Sequence, residues 1–182
     1  LKHVIVDKHG YEGDTETPEH LQNTDLIRVI ERGVGMPITL AIIYMNAAKN
    51  QGWSIYGLNI PGYFVVRMDK EGERVLFDPF NKCSILQAAD LRRLIKQTLG
   101  PHAELSADYY EPATNREILI RLQNMIKTRH IDSEDYEAAL KTVQTMQAID
   151  PEEFRLLLDA GVLYARTARP EEAIKSLEEY IK

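Results

Sequence analysis

Few side chains in this chain are equipped for chemistry, and their spacing narrows the choices further. The single thiol, Cys83, sits in Asn81-Lys82-Cys83-Ser84, where the Lys82 ammonium would favour the thiolate that a nucleophile requires. Thr39 offers a hydroxyl near the start of a helical segment that opens at Met36-Pro37. A threonine nucleophile needs a strong base beside it, and none is visible, so a helix-start hydroxyl bonded to backbone is the expectation. For Cys83 the expectation is a partly buried, unreactive thiol. The five histidines, His3, His9, His20, His102 and His130, show no metal-ligand spacing, so no metal site and no cofactor are expected. One cysteine can make neither an intrachain disulfide nor a cysteine-rich zinc site, which points to a reducing compartment and to the cytoplasm.

These groups must be positioned by elements that the pattern of residue types marks out. Asn23-Thr24-Asp25 can cap a short helix, Leu26 to Arg32, with one apolar face, and Gly33 and Gly35 end it by accepting positive φ. A second helix runs from Pro37 to Gln51, with Pro at its first position and Gly52 just beyond its end. It is apolar almost all round, as a helix buried inside a domain is. The period then changes to that of strands: Trp53 to Ile60, Tyr63 to Met68 and Glu73 to Phe77. Reading Asp69 to Gly72 as a four-residue hairpin loop puts Met68 opposite Glu73 and therefore Tyr63 opposite Asp78, making these two side chains neighbours. An amphipathic helix spans Ala88 to Leu99 and closes at Gly100-Pro101. Residues 102–116 are expected to be a linker, and the chain is helical from there on.

Helix Pro37 to Gln51 followed by a hairpin carrying Tyr63 and Asp78 resembles the core of the transglutaminase-like, papain-related superfamily. More narrowly, Asp25-Leu26-Ile27-Arg28-Val29-Ile30, Gly35-Met36-Pro37-Ile38-Thr39-Leu40, Asn59-Ile60-Pro61-Gly62-Tyr63-Phe64-Val65-Val66-Arg67, Asp78-Pro79-Phe80-Asn81 and Leu122-Gln123-Asn124 are similar to the SirB-type bacterial proteins. The resemblance implies an α+β domain over residues 1–101, then tetratricopeptide-like helical repeats over 117–182. It also implies a place for a Cys-His-Asp triad. Here the helix start offers Pro37, Ile38 and Thr39 instead of a cysteine, and the family's Pro-Gly-His-Phe has become Pro61-Gly62-Tyr63-Phe64. A tyrosine of ordinary pKa near 10 is no base at neutral pH. With Asp78 alone retained, Thr39, Tyr63 and Asp78 are degenerate triad positions, and the expectation is a pseudoenzyme with no catalytic residue. The alternative is a peptide or amide hydrolase or acyltransferase using Cys83 or Thr39.

In the C-terminal part, Ala139 and Ala173 are separated by 34 residues, the tetratricopeptide period. Ala139, Pro151, Gly161, Tyr164 and Ala173 occupy signature positions, whereas Lys127 and His130 stand where the first repeat would carry its Gly and Tyr. Arg116, Arg121 and Arg129 are expected to form a solvated basic strip on the first of these helices. The formal charge of -6 argues against nucleic acid and anionic lipid, which are bound through clustered positive charge. No run of residues is long and apolar enough to span a membrane. The partner expected is a protein or peptide held by the helical repeats. Because the chain opens on Leu1 instead of Met, a preceding stretch is expected to be missing from it.

Overall fold

A computed structural model describes residues 1–182, which divide into two compact units, Leu1–Thr114 and Asn115–Lys182. In the first, the apolar run near the N-terminus is a short π-helical turn, His3–Lys8. Strand β1 (Glu12–Gly13) follows, then α1 (Leu26–Arg32), β2 (Val34–Gly35) and α2 (Pro37–Lys49). Strands β1 and β2 pair in parallel. Asp25 caps α1 by accepting from the Ile27 and Arg28 amides, and Gly33 ends it in the left-handed conformation, at φ 73°. Gly35 has no positive φ, contrary to expectation. It is needed for close approach, since a Cβ there would lie 2.8 Å from Val29 Cγ1 and 2.9 Å from Thr39 Oγ1. The expected apolar face of α1 is likewise only partly used: Val29 is buried, while Ile27 and Ile30 are exposed.

The main sheet is antiparallel, in the order β3 (Ser54–Ile60), β4 (Tyr63–Lys70), β5 (Glu73–Asp78) and β6 (Ser84–Leu86). Strand β6 is too short to show a period and has no counterpart among the expected elements. The β4–β5 hairpin departs from the expected register, with Lys70 opposite Glu73 and Met68 opposite Val75. Glu71 and Gly72, at φ 53° and 86°, make a two-residue turn with both central residues left-handed, whose twist matches that of the flanking strands. Asp69 and Lys70 therefore belong to β4 and not to a four-residue loop.

Helix α2 buries Ile38, Leu40, Ala41, Tyr44, Met45 and Ala48, and the Tyr44 ring meets that of Phe77 at 5.5 Å between centroids. Phe77 pairs with Val66, so these two side chains point to the α2 face of the sheet. Alternation sends Val65 and Leu76 to the other face. There they join Leu58, Ile60, Leu91 and Ile95 under α3 (Ala88–Leu99). With a helix against each face, β4 is buried almost continuously from Phe64 to Arg67.

Residues 103–110 extend this second layer, with Ala103, Leu105, Tyr109 and Tyr110 packed on the same cluster. Arg67 fastens them by donating to the Tyr110 carbonyl at 2.7 Å, while its guanidinium lies 4.9 Å over the Tyr56 ring. Pro112 then bridges to Leu58 and the Ala113 amide donates to Gly57 O at 2.8 Å, so this segment runs along the edge strand β3.

The second unit comprises α4 (Asn115–Asp132), α5 (Tyr136–Ile149), α6 (Arg155–Arg166) and α7 (Pro170–Tyr180). Its core is built from Ala139, Leu140, Val143, Met146, Leu156, Ala160 and Leu163. Gly161 lets α6 and α7 meet: a Cβ there would lie 2.6 Å from Leu177 Cγ and 3.4 Å from the Ala173 carbonyl oxygen. Of the expected solvated strip, Arg116 is exposed, 3.8 Å from Asp150, whereas Arg121 is half-buried. No helix of either unit is long and apolar enough to cross a membrane. Gly161→Ala should force α6 and α7 apart and destabilise the chain by about 1–3 kcal/mol, measured as a drop in the urea unfolding midpoint at unchanged slope.

Candidate functional site

Thr39, Tyr63 and Asp78, the residues expected at triad positions, sit at the start of α2, the start of β4 and the end of β5. Thr39 is fully buried. Its hydroxyl accepts from the Met36 amide at 3.2 Å and has two acceptors for its single proton, Asn23 O and Met36 O, each at 3.0 Å. Each of these hydrogen bonds is to backbone.

The covering segment, residues 13–25, is fixed by a buried polar cluster that the sequence reading did not single out. Asp14 accepts from the Glu16 and Thr17 amides at 3.2 and 2.8 Å and from the Thr17 hydroxyl at 2.9 Å. Arg32 donates to Asp14 Oδ2 and to Asn23 Oδ1, both at 2.8 Å, and Asn23 donates to Thr17 O at 2.8 Å. These bonds hold the Asp14 carboxyl far below the usual carboxylate range, the Thr17 amide contributing most, against the opposing effect of burial. The same segment reaches the sheet, because Gly13 N donates to Phe80 O at 2.9 Å and the Phe80 ring occupies the space where a Gly13 side chain would be.

Tyr63 donates to Asp78 Oδ2 at 2.8 Å, the contact expected from the sequence, although the register differs. The observed pairing makes Tyr63 a diagonal neighbour of Asp78, a separation an aromatic side chain can span. Burial, and then the Asp78 carboxylate that holds its proton, push the Tyr63 phenol well above its ordinary pKa. Asp78 also accepts from the Phe80 and Asn81 amides at 2.9 and 3.3 Å and from Asn81 Nδ2 at 2.5 Å, so it anchors the turn after β5. Tyr63 packs on the cluster beneath α3, the sheet face opposite α2, and none of the Thr39 hydrogen bonds leads to Tyr63 or Asp78.

Cys83 lies on the next turn, where Lys82 and Cys83 both take positive φ, 51° and 58°, and Ser84 N donates to Asn81 O at 3.0 Å. Lys82 does not serve the thiol as expected, because its ammonium is 2.6 Å from the Glu12 carboxylate. Burial pushes the Cys83 thiol up to about 11, and the Asp78 charge adds to that. Nearby, the hydroxyl of fully buried Tyr44 has no hydrogen-bond partner, and burial raises its pKa too. The one hint of Tyr44 in the sequence is a phenol set in an otherwise apolar helix.

Among the repeat-signature residues, Ala139 and Ala173 are buried. Tyr164 packs on the second unit's core and accepts from Gln144 Nε2 at 3.2 Å, and Pro151 follows the end of α5. Lys127, in the place of the first repeat's glycine, reaches across to Asp159 on α6 at 2.5 Å.

A helix and an antiparallel sheet with these triad-equivalent positions, followed by paired antiparallel helices, define a transglutaminase-like protein with tetratricopeptide repeats. Residues 1–124 match the family model described as the transglutaminase-like superfamily and residues 126–182 the one described as a tetratricopeptide repeat, and the chain belongs to the transglutaminase-like superfamily. The likeness to SirB-type proteins holds among its relatives. A UPF0162 protein of Xylella fastidiosa (strain Temecula1) is 28% identical over all of this chain and 66% of the relative. A UPF0162 protein of Pseudomonas aeruginosa is 30% identical over 80% of this chain and 53% of its own length. Protein SirB1 of Salmonella typhimurium is 24% identical over 86% of this chain and 58% of its own length. The chain thus spans just under two thirds of the first of these relatives and little more than half of the other two. No solved structure matches it.

Two measurements probe the arrangement. Tyr63→Phe should cost about 1 kcal/mol, because Asp78 keeps its other donors, whereas Asp78→Ala should cost about 2–3 kcal/mol by orphaning them; urea unfolding measures both. Arg32→Met should cost about 3 kcal/mol by leaving Asp14 buried without its cation. Because the folded-state pKa of Asp14 is depressed, its contribution is present above the unfolded value near 4 and is lost as pH falls through and below it. Stability measured between pH 6 and pH 2 should therefore fall less steeply in the variant than in the parent.

Proposed function

We propose that this chain is a non-catalytic transglutaminase-like protein that works as an interaction or regulatory scaffold, with a protein or peptide partner engaged by its helical repeats. The observation that carries the reading is the use made of the triad positions. Thr39 spends its hydroxyl on backbone, Tyr63 donates a proton to Asp78 instead of removing one from a nucleophile, and Asp78 organises a turn. A nucleophile, base and orienting acid must converge on one reacting atom, and here the first belongs to the helix on one sheet face while the second packs on the other. The α+β unit, with its own core, supports the scaffold reading as a rigid platform. The tetratricopeptide match supports the contact role, since such repeats generally mediate protein–protein interaction.

The competing reading, a hydrolase or acyltransferase using Cys83 or Thr39, finds little support. The thiol is burdened by burial and by the Asp78 charge, its lysine neighbour is engaged by Glu12, and the threonine has no base. Domain limits of 1–101 and 117–182 belong to the same proposal, with the stretch between them packed on the first unit as far as Ala113 instead of hanging free, and so does a cytoplasmic location.

Alkylation of Cys83 in the native chain with iodoacetamide across pH separates the two readings. The expected result is slow labelling at neutral pH, with a rate that climbs toward a midpoint near 11, as the raised thiol pKa dictates. Fast labelling at pH 7, together with turnover of peptide or ester substrates that is abolished by Cys83→Ser, would establish the enzyme instead.

A further inference from the structure

The second unit exposes two helix faces that each set aliphatic side chains between charged ones, with opposite charge. On α6, Arg155, Leu158, Val162 and Arg166 recur at i, i+3, i+7 and i+11 and share one side of the helix. Leu158 and Val162 are 38% and 50% exposed, far more than a core position tolerates. The cations on this face are not used up inside the unit. Arg116, Lys127 and Arg169 pair with Asp150, Asp159 and Glu137, whereas Arg155 makes no side-chain ion pair and Arg166 rests 5.5 Å over the Tyr136 ring. On α7, Glu171, Ile174 and Glu178 recur at i, i+3 and i+7. Ile174 is 58% exposed, and neither glutamate is held by a salt bridge within the chain.

We infer that the α6 face of one copy receives the α7 face of a second copy, so that the chain self-associates through its helical unit. The attraction is local and specific. Two copies of net charge -6 repel one another on average, and only a contact that sets unpaired arginines against unpaired glutamates around an apolar centre overcomes that repulsion. The dimensions agree: Arg155 and Arg166 are about 16 Å apart along the helix and Glu171 and Glu178 about 10 Å, a difference that long arginine side chains bridge from either end. Leu158 and Val162, between the two arginines, then cover Ile174, between the two glutamates, and remove exposed aliphatic groups of both helices from water. Because the two faces differ, each copy carries both halves of the contact, and the pairing is heterologous in kind. This inference names one partner for the helical unit and rests on that unit being a contact module.

The test is charge reversal in the 182-residue chain, followed by sedimentation velocity over a range of concentrations. The parent should show a mass that rises with concentration. R155E/R166E and E171R/E178R should each weaken association by roughly tenfold or more, and circular dichroism should show unchanged helix content because all four side chains lie at the surface. A one-to-one mixture of the two variants should associate again, since the reversed α6 face of the first complements the reversed α7 face of the second. A parent that stays monomeric at every concentration would overturn the self-pairing, as would variants that associate like the parent or a mixture that fails to recover. Capture of a synthetic acidic amphipathic peptide by the α6 face of a strictly monomeric chain would overturn it too, while leaving the contact-module reading intact.

Discussion

A carboxylate buried beneath a loop is costly unless donors surround it, and Asp14 is surrounded. Two amides, a threonine hydroxyl and the Arg32 guanidinium converge on its two oxygens, and the second arm of the same arginine holds Asn23. Through Asn23 the cluster reaches the start of α2, and through the neighbouring Gly13 it reaches Phe80 at the end of the sheet. The helix, the sheet and the covering segment are thereby tied together by one charge whose removal would leave several polar groups without partners. The tightness has a steric counterpart: Gly13 and Gly35 stand where any side chain would collide with Phe80 or with Val29 and Thr39.

The same closure leaves Thr39, Tyr63 and Asp78 in structural roles. An active site needs a cavity in which substrate can approach the nucleophile, yet the carbonyl of Asn23 occupies the neighbourhood of the Thr39 hydroxyl. The threonine at the helix start and the tyrosine on the strand each have a partner of the kind their own chemistry prefers. The threonine bonds backbone carbonyls, and the tyrosine donates to the Asp78 carboxylate. The acceptor that could have oriented a histidine instead terminates β5 and shapes the turn that carries Cys83.

Much of this was legible in the sequence because it is periodic or local. The helix limits at Pro37, Ala88 and Leu99 follow from caps, from a proline and from glycines, and the buried character of α2 follows from its nearly uniform apolarity. The Tyr63–Asp78 contact was legible for an instructive reason. The register is displaced by two residues, and a displacement of two keeps every side chain on its face, so a directly opposite pair became a diagonal one still within reach. What misled was the polar character of Asp69 and Lys70, which look like a loop but extend β4 because the actual reversal needs only Glu71 and Gly72. The Asp14–Arg32 pair, 18 residues apart along an irregular path, leaves no pattern to read, and neither does a strand as short as β6.

The path of residues 103–114 along β3 also governs what the sheet can do in company. An antiparallel sheet with a bare edge is a template on which another chain can add a strand. Here that template is already engaged by the protein's own backbone at Gly57 and Leu58, with a proline at Pro112 that has no amide hydrogen to offer onward. The opposite edge, β6, runs for three residues only, too few to seed a durable ladder. Neither edge of the sheet therefore offers a long bare strand for lateral polymerisation.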